Sequence, residues 1–225
     1  MIIWIIFIAI ALASFIVQRL LEKHIEEAKK VPLKHGLSGK EVAEFMLSNY
    51  GVNGVKIVSI GGVLTDHYDP AQKIINLSSD VYNGRDVAAA AVAAHETGHA
   101  LQHALGYHPL KMRSALVPFV AYASRFTTWV ILAGIILIEM TPMVMLAGIL
   151  LFAVSTIFSF VTLPVELNAS QRALDWLNQA DIVSPDQAEI AEKALKSAAN
   201  TYVVAAMSSL ATLIYYILIF MGRRE

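Results

Sequence analysis

The chain has 225 residues, of which 56% are hydrophobic and only 16% charged, with a net charge of −1. That is too apolar for a water-soluble domain of this size, and the near-neutral balance offers no basic surface, so no nucleic-acid partner is expected. The absence of cysteine excludes disulfides, thiolate metal ligands and a cysteine nucleophile.

In chain order, Met1–Val17 carries no charge and is expected to be an N-terminal transmembrane anchor (1–21), since a span takes roughly 20 apolar residues. Ala11-Leu12-Ala13 has the look of a signal-peptide cleavage site, but the basic n-region of such a signal is missing, which favours an uncleaved anchor. Gln18–Lys34 reads as a charged, amphipathic continuation of the first helix. Ser38-Gly-Lys-Glu41 has the spacing of a capping box, and Gly51 stops the helix that follows. The β-rich runs "VKIVSIGGVL" and "KIINLS" flank the turn-forming "TDHYDP" and are expected to make a β-hairpin.

The stretch "NGRDVAAAAVAAHETGHALQHALGY" then reads as one helix, with Asp86 in its first turn and Gly106 near its end. Leu116–Leu163 contains only Arg125 and Glu139 as charges, and Glu139-Met-Thr-Pro142 divides it into a transmembrane hairpin (116–163). Pro164 is placed to start a helical region, 164–200. Thr201–Met221 is uncharged and forms the last span, within 201–225. The fold class is a mainly α membrane protein with about four transmembrane helices plus a small α+β region at 22–115.

The polar segment "AAHETGHALQHAL" carries the chemistry. On a helix, residues four apart lie about 40° apart and roughly 6 Å along the axis, so His95 and His99 can converge on one ion. Glu96 then stands beside that ion, where a carboxylate can take a proton from a metal-bound water. His-Glu-x-x-His on a helix is the recurrent motif of zinc proteases. His103 is ~12 Å from His95 along the axis, too far for both to bind one ion at ~2 Å on an unbroken helix. It is expected as a neighbour of the site, with packing or surface roles ahead of a catalytic one.

A catalytic zinc takes three protein ligands and keeps one open position. Two polar regions remain, and the hairpin of spans two and three returns the chain to the side of the membrane where His95 lies. Just past it, in "TLPVELNASQRAL", Glu166 would sit in the first turn of a helix begun by Pro164. Glu166 is the expected third ligand. An acid just outside a span is otherwise a solvated end residue, and the competing ligands are His103 on a broken helix or His67 from the turn.

Taken together, "LTDHYDP", "LSSDVY", "AAHETGHALQH", "LVPF" and "TLPVELNASQRAL" resemble the neutral zinc metallopeptidases of bacterial membranes, the YugP-type family, over essentially the whole chain. The resemblance implies a multi-pass membrane metallopeptidase that uses Zn2+, with His95 and His99 as ligands and Glu96 as catalytic acid and base. The site is also similar to that of the gluzincin membrane proteases related to the heat-shock and prenyl-protein proteases, where a Glu on a second helix is the third ligand. This supports Glu166 and a zincin-like peptidase region built from 22–115 and 164–200. In that wider group an Asp follows the ligand Glu by four residues and orients a histidine. Here that position is Ser170, so support from Asn168 or Asp66 is expected instead.

Asp66, His67 and Asp69 are turn-formers by default, with a supporting acid or a substrate contact as the functional alternative. Arg172, six residues past Glu166, could face the pocket and stabilise an oxyanion, or lie at the surface among headgroups. Tyr202 could serve the same purpose or be an ordinary interfacial tyrosine. Arg125 is expected to snorkel to the headgroups.

The leading function is a zinc-dependent metalloendopeptidase acting on a peptide or protein substrate beside the lipid bilayer. The alternative is a non-catalytic membrane module with a structural zinc, although such sites are usually closed by four ligands. An intramembrane protease of the site-2 type shares the motif but needs Asn-Pro-Asp-Gly, which is absent. All Lys and Arg residues except Arg223 and Arg224 fall on one side of the spans or within them. The positive-inside rule then puts the active site on the cytoplasmic face of the cell membrane. Substrate identity and oligomeric state are not legible in the sequence.

Overall fold

The computed structural model describes residues 2–222. Among them, the order is α1 (Ile2–Lys29), α2 (Gly39–Asn49), β1 (Lys56–Ile60), β2 (His67–Asp69), β3 (Ile74–Ser78), α3 (Ser79–Asn83), α4 (Val87–Ala104), α5 (His108–Ile136), α6 (Pro142–Gln179) and α7 (Pro185–Gly222). Helices α1, α5, α6 and α7 are each long and apolar enough to cross a membrane. Large apolar side chains such as Trp4, Phe119, Trp129 and Ile136 point outward from them, a costly arrangement in water and the natural one in hydrocarbon. The protein is a mainly α membrane protein with four candidate spans and a small α+β region.

Small residues let the spans approach closely. A Cβ on Gly134 of α5 would meet Met145 Cα of α6 at 2.6 Å, so only glycine admits this crossing of the α5–α6 hairpin. Ile131, Met145 and Ile149 are buried behind it.

Outside the spans, α4 is the central element. Its alanine-rich first half is almost wholly buried, which lets α2, α6 and α7 pack against it at short range. Val42 and Met46 of α2, Ile75 and Leu77 of β3, Leu101 of α4, and Trp176 and Leu177 of α6 complete one core. The Ser38–Glu41 capping box starts α2 as its spacing requires.

Several expectations need correction. The helix α1 ends at Lys29 rather than running to Lys34, because Pro32 restricts the residue before it to extended backbone. Val31 instead accepts a hydrogen bond from Val87. Asp86 precedes the first turn of α4 as its N-cap, accepting from the Ala89 amide at 2.9 Å. The two β-rich runs do not pair as a hairpin. β1 and β3 are parallel, and the hairpin is made by β2 and β3, giving the order β1-β3-β2. The supposed turn "TDHYDP" contributes β2 itself. β3, with Ile75 and Leu77 fully buried, takes the centre. Residues 61–66 carry the chain across from β1 to the other edge. Finally, Pro164 does not start a helix. It lies inside α6, which runs unbroken from Pro142 to Gln179. A proline inside a helix loses its amide bond and crowds the carbonyl four residues back, and helices near membranes tolerate this where neighbours satisfy the freed carbonyl.

Candidate metal centre

The long helix α6 leaves the apolar run at Leu163 and passes across α4, so that Glu166 and Ser170, one turn apart, face His95 and His99, also one turn apart. The crossing is tight. A Cβ on Gly98 would lie 2.8 Å from the Ala169 carbonyl oxygen, so the residue inside the motif must be glycine for the two helices to meet here. Thr97, fully buried, bonds back to the Ala93 carbonyl at 2.8 Å and leaves no polar atom unpaired. Glu166 Oε2 then stands 3.3 Å from His95 Nε2 and 3.4 Å from His99 Nε2. The three donor atoms lie within 4.8 Å of one another.

Each histidine is oriented through its other nitrogen. His95 Nδ1 is 3.1 Å from Ser170 Oγ. His99 Nδ1 is 3.0 Å from Gln102 Oε1, and Gln102, wholly buried, donates its amide to the Val165 carbonyl at 2.8 Å and to Asn168 at 3.0 Å. The Val165 carbonyl only accepts, so the Gln102 nitrogen must face it and its oxygen must face His99. His99 therefore donates from Nδ1 and presents Nε2 towards Glu166, the tautomer a metal ligand needs. Asn168 is held in turn by the Arg172 Nε–H at 2.8 Å. The second oxygen of Glu166 lies 3.7 Å from Arg113, whose own Nε is buried without a partner.

The charge balance suits a cation. Burial on its own would raise the Glu166 carboxyl, but hydrogen bonds from His95 and His99 outweigh it and hold the group well below the usual carboxylate range. Burial would likewise lower His99, yet the hydrogen bond it donates to Glu166 and the nearby charge of Glu96 leave it raised. The cluster thus draws a proton into its centre, and a cation held by the same three atoms takes that proton's place. Two imidazoles and one carboxylate, oriented from behind, fit a divalent zinc ion.

Glu96, 8% exposed, lines a cleft of about 170 Å³ together with His95, Glu166, Ser170 and Tyr202. The other expected residues divide. Tyr202 forms a wall of this cleft, from α7, and Asp66 stands at its edge, where it accepts hydrogen bonds from the Ser78 amide (2.7 Å) and hydroxyl (3.1 Å). His67 is exposed and bonded to the Thr65 carbonyl and to Asn76. His103 is 2.8 Å from the Tyr68 hydroxyl and lines a separate cavity with Val55 and Lys73. Arg172 is bonded to Asn168 and is not among the cleft walls. Asn168 supports His99 only through Gln102, while Ser170 itself takes the place at His95 expected for Asn168 or Asp66.

Sequence reasoning missed Gln102 and Arg113. Gln102 had a signal, since it follows His99 by three residues on the same helical face. Arg113 had none, for a basic residue just before an apolar run looks like any headgroup arginine.

Residues 3–221 match the profile of a family described as "Putative neutral zinc metallopeptidase". The chain is 37% identical over 212 residues to the "Putative membrane protease YugP" of Bacillus subtilis (strain 168), covering 94% of this chain and 93% of that protein. No solved structure matches. Because the family match runs from the first span to the last, the helices that bring His95, His99 and Glu166 together all lie within it, and the chain belongs to this neutral zinc metallopeptidase family.

Proposed function

We propose that the protein is a membrane-bound zinc metalloendopeptidase in which His95, His99 and Glu166 hold Zn2+ and Glu96 is the general base. The observation that carries this reading is the convergence within 4.8 Å of donor atoms from half-buried His95 and buried His99 and Glu166, beside a cleft that Glu96 lines. Zinc, when bound, supplies the Lewis acidity that lets water attack a peptide carbonyl near neutral pH. Glu96 accepts the proton of the attacking water and returns it to the leaving amine. Gln102 and Ser170 keep both imidazoles in their ligating orientation. Tyr202, the cleft-wall residue best placed for it, donates its hydroxyl to the developing oxyanion.

An endopeptidase needs a site open at both ends. The cleft shares Ile25, Leu64, Asp66 and Val92 with one neighbouring chamber, and Ser170, Leu195 and Ala199 with a groove between α6 and α7 on its other side. These adjoining cavities support a reading in which a polypeptide runs past the metal centre. The rival reading, a structural zinc, fits less well. Three protein donors beside an open cleft leave a position free, whereas structural sites close with four.

We read 22–115 and 164–200 as one peptidase unit at headgroup level, between an anchor (1–21), a hairpin (116–163) and a final span (201–225). The basic residues of this unit put it on the cytoplasmic face by the positive-inside rule; the opposing pair, Arg223 and Arg224, lies outside the described residues. Metal analysis with a general peptide-cleavage assay on the purified protein tests the proposal. Stoichiometric zinc and chelator-sensitive cleavage are expected, and zinc-loaded protein without any cleavage would reject it.

A further inference from the structure

The chamber beside the cleft is a built pocket of about 270 Å³, near the lower end of the range for small-molecule sites and so matched to one side chain rather than a cofactor. Its walls are Ile25 of α1, Val63 and Leu64 of the 61–66 segment, Val81 of α3, and Ala88 and Val92 of α4. It adjoins the metal cleft, with which it shares the walls Ile25, Leu64, Asp66 and Val92. On α4, Val92 and Ala88 precede His95 by three and seven residues, about 5 and 10 Å along the axis. An extended chain advances about 3.3 Å per residue, so a side chain within a residue or two of the scissile bond reaches the chamber.

The polar groups around the chamber are already committed. Asp66 spends both oxygens on Ser78, and Asp86 caps α4 through the Ala89 amide. Lys29 stands between Glu26 at 3.2 Å and Asp80 at 3.9 Å. An acidic side chain entering here would meet Asp66, Asp80 and Asp86 and lose its hydration. The one loosely held acid, Asp80, lies 72% exposed at the rim, whereas an apolar side chain gains the Ile25, Leu64, Val81 and Val92 walls at no such cost.

We propose that this chamber is the recognition pocket for one large aliphatic or aromatic side chain flanking the scissile bond, so that the enzyme selects polypeptides by that residue. The inference rests on the endopeptidase reading above and adds its specificity. The opposite groove, which includes Asp175, Glu189, Glu192 and Lys196, presents polar groups and sets no such requirement.

The test is cleavage of a peptide library by the purified, zinc-loaded full chain in detergent, with products read by mass spectrometry. Leu64, 64% exposed, can be changed without disturbing the core, and Val81→Phe narrows the chamber from the side away from the metal. The wild type is expected to cleave next to Leu, Ile, Met or Phe on one constant side. Leu64→Glu should lower kcat/KM for those peptides about tenfold with zinc content unchanged, and Val81→Phe should move the preference to Ala and Val. Cleavage without an apolar preference, or wild-type profiles in both variants, overturns the pocket assignment and leaves the endopeptidase standing. Zinc-loaded wild type that cleaves no peptide overturns both.

Discussion

Gln102→Leu isolates the support behind the metal centre without touching a ligand. Gln102 is wholly buried and serves three partners: His99 at 3.0 Å, the Val165 carbonyl at 2.8 Å and Asn168 at 3.0 Å. Leucine has a similar volume but none of these bonds. Orphaning the buried His99 N–H costs about 2 kcal/mol; the Val165 carbonyl, which keeps its helical bond from the Ala169 amide, and half-buried Asn168 cost about 1 each. Burial of the leucine returns about 2 kcal/mol. The metal-free protein should therefore lose about 2 kcal/mol of stability. With nothing to fix the His99 ring, zinc affinity should fall 10- to 100-fold, the usual cost of losing a hydrogen bond behind a metal ligand. The assays are denaturant unfolding of the metal-free protein in micelles and zinc competition against a chelator of known affinity. Wild-type stability together with wild-type zinc affinity would refute the idea that Gln102 orients His99.

Other expected outcomes follow from the same geometry. Glu166→Ala should lose stoichiometric zinc in metal analysis, while His103→Ala and His67→Ala keep it; the reverse pattern would reject the ligand set. Gly98→Ala places a methyl against the Ala169 carbonyl and should destabilise the protein by about 1–3 kcal/mol, with weakened zinc binding as α4 and α6 separate; unfolding and chelator competition would show it. Engineered cysteines at positions 35 and 186 should resist an impermeant thiol reagent in intact cells, and strong labelling there would reverse the proposed sidedness.

Much of the site could be read from the chain because it depends on local spacing. A four-residue interval on a helix puts His95 and His99 together whatever surrounds them, and the hairpin logic brings Glu166 to their side of the membrane. What the spacing could not give was contact between distant segments. Arg113 and Tyr202 reach the site only because α5 and α7 pack beside α6, and nothing in their own neighbourhoods distinguishes them from interfacial residues. The spacing of the motif gave no sign of the need for Gly98, which comes from the close approach of Ala169. Ser170 read as a missing acid until its hydroxyl was found at His95. The sheet failed for a related reason. Two β-rich runs around a polar stretch fit a hairpin as well as a parallel pair, and only the burial of Ile75 and Leu77 against α4 makes β3 central and turns "HYD" into a strand. Pro164 misled because a proline that starts a soluble helix can also sit within one that emerges from a membrane.

The central claim is that zinc on His95, His99 and Glu166 drives peptide hydrolysis with Glu96 as the base. The measurement that tests it most directly is zinc content and peptide turnover for the wild type and Glu96→Gln, purified side by side. The amide keeps the size of the side chain but cannot take the proton of the attacking water. One zinc per chain is expected in both proteins, with chelator-sensitive turnover in the wild type and a loss of 10²-fold or more in the variant. Wild-type turnover in zinc-loaded Glu96→Gln would contradict it.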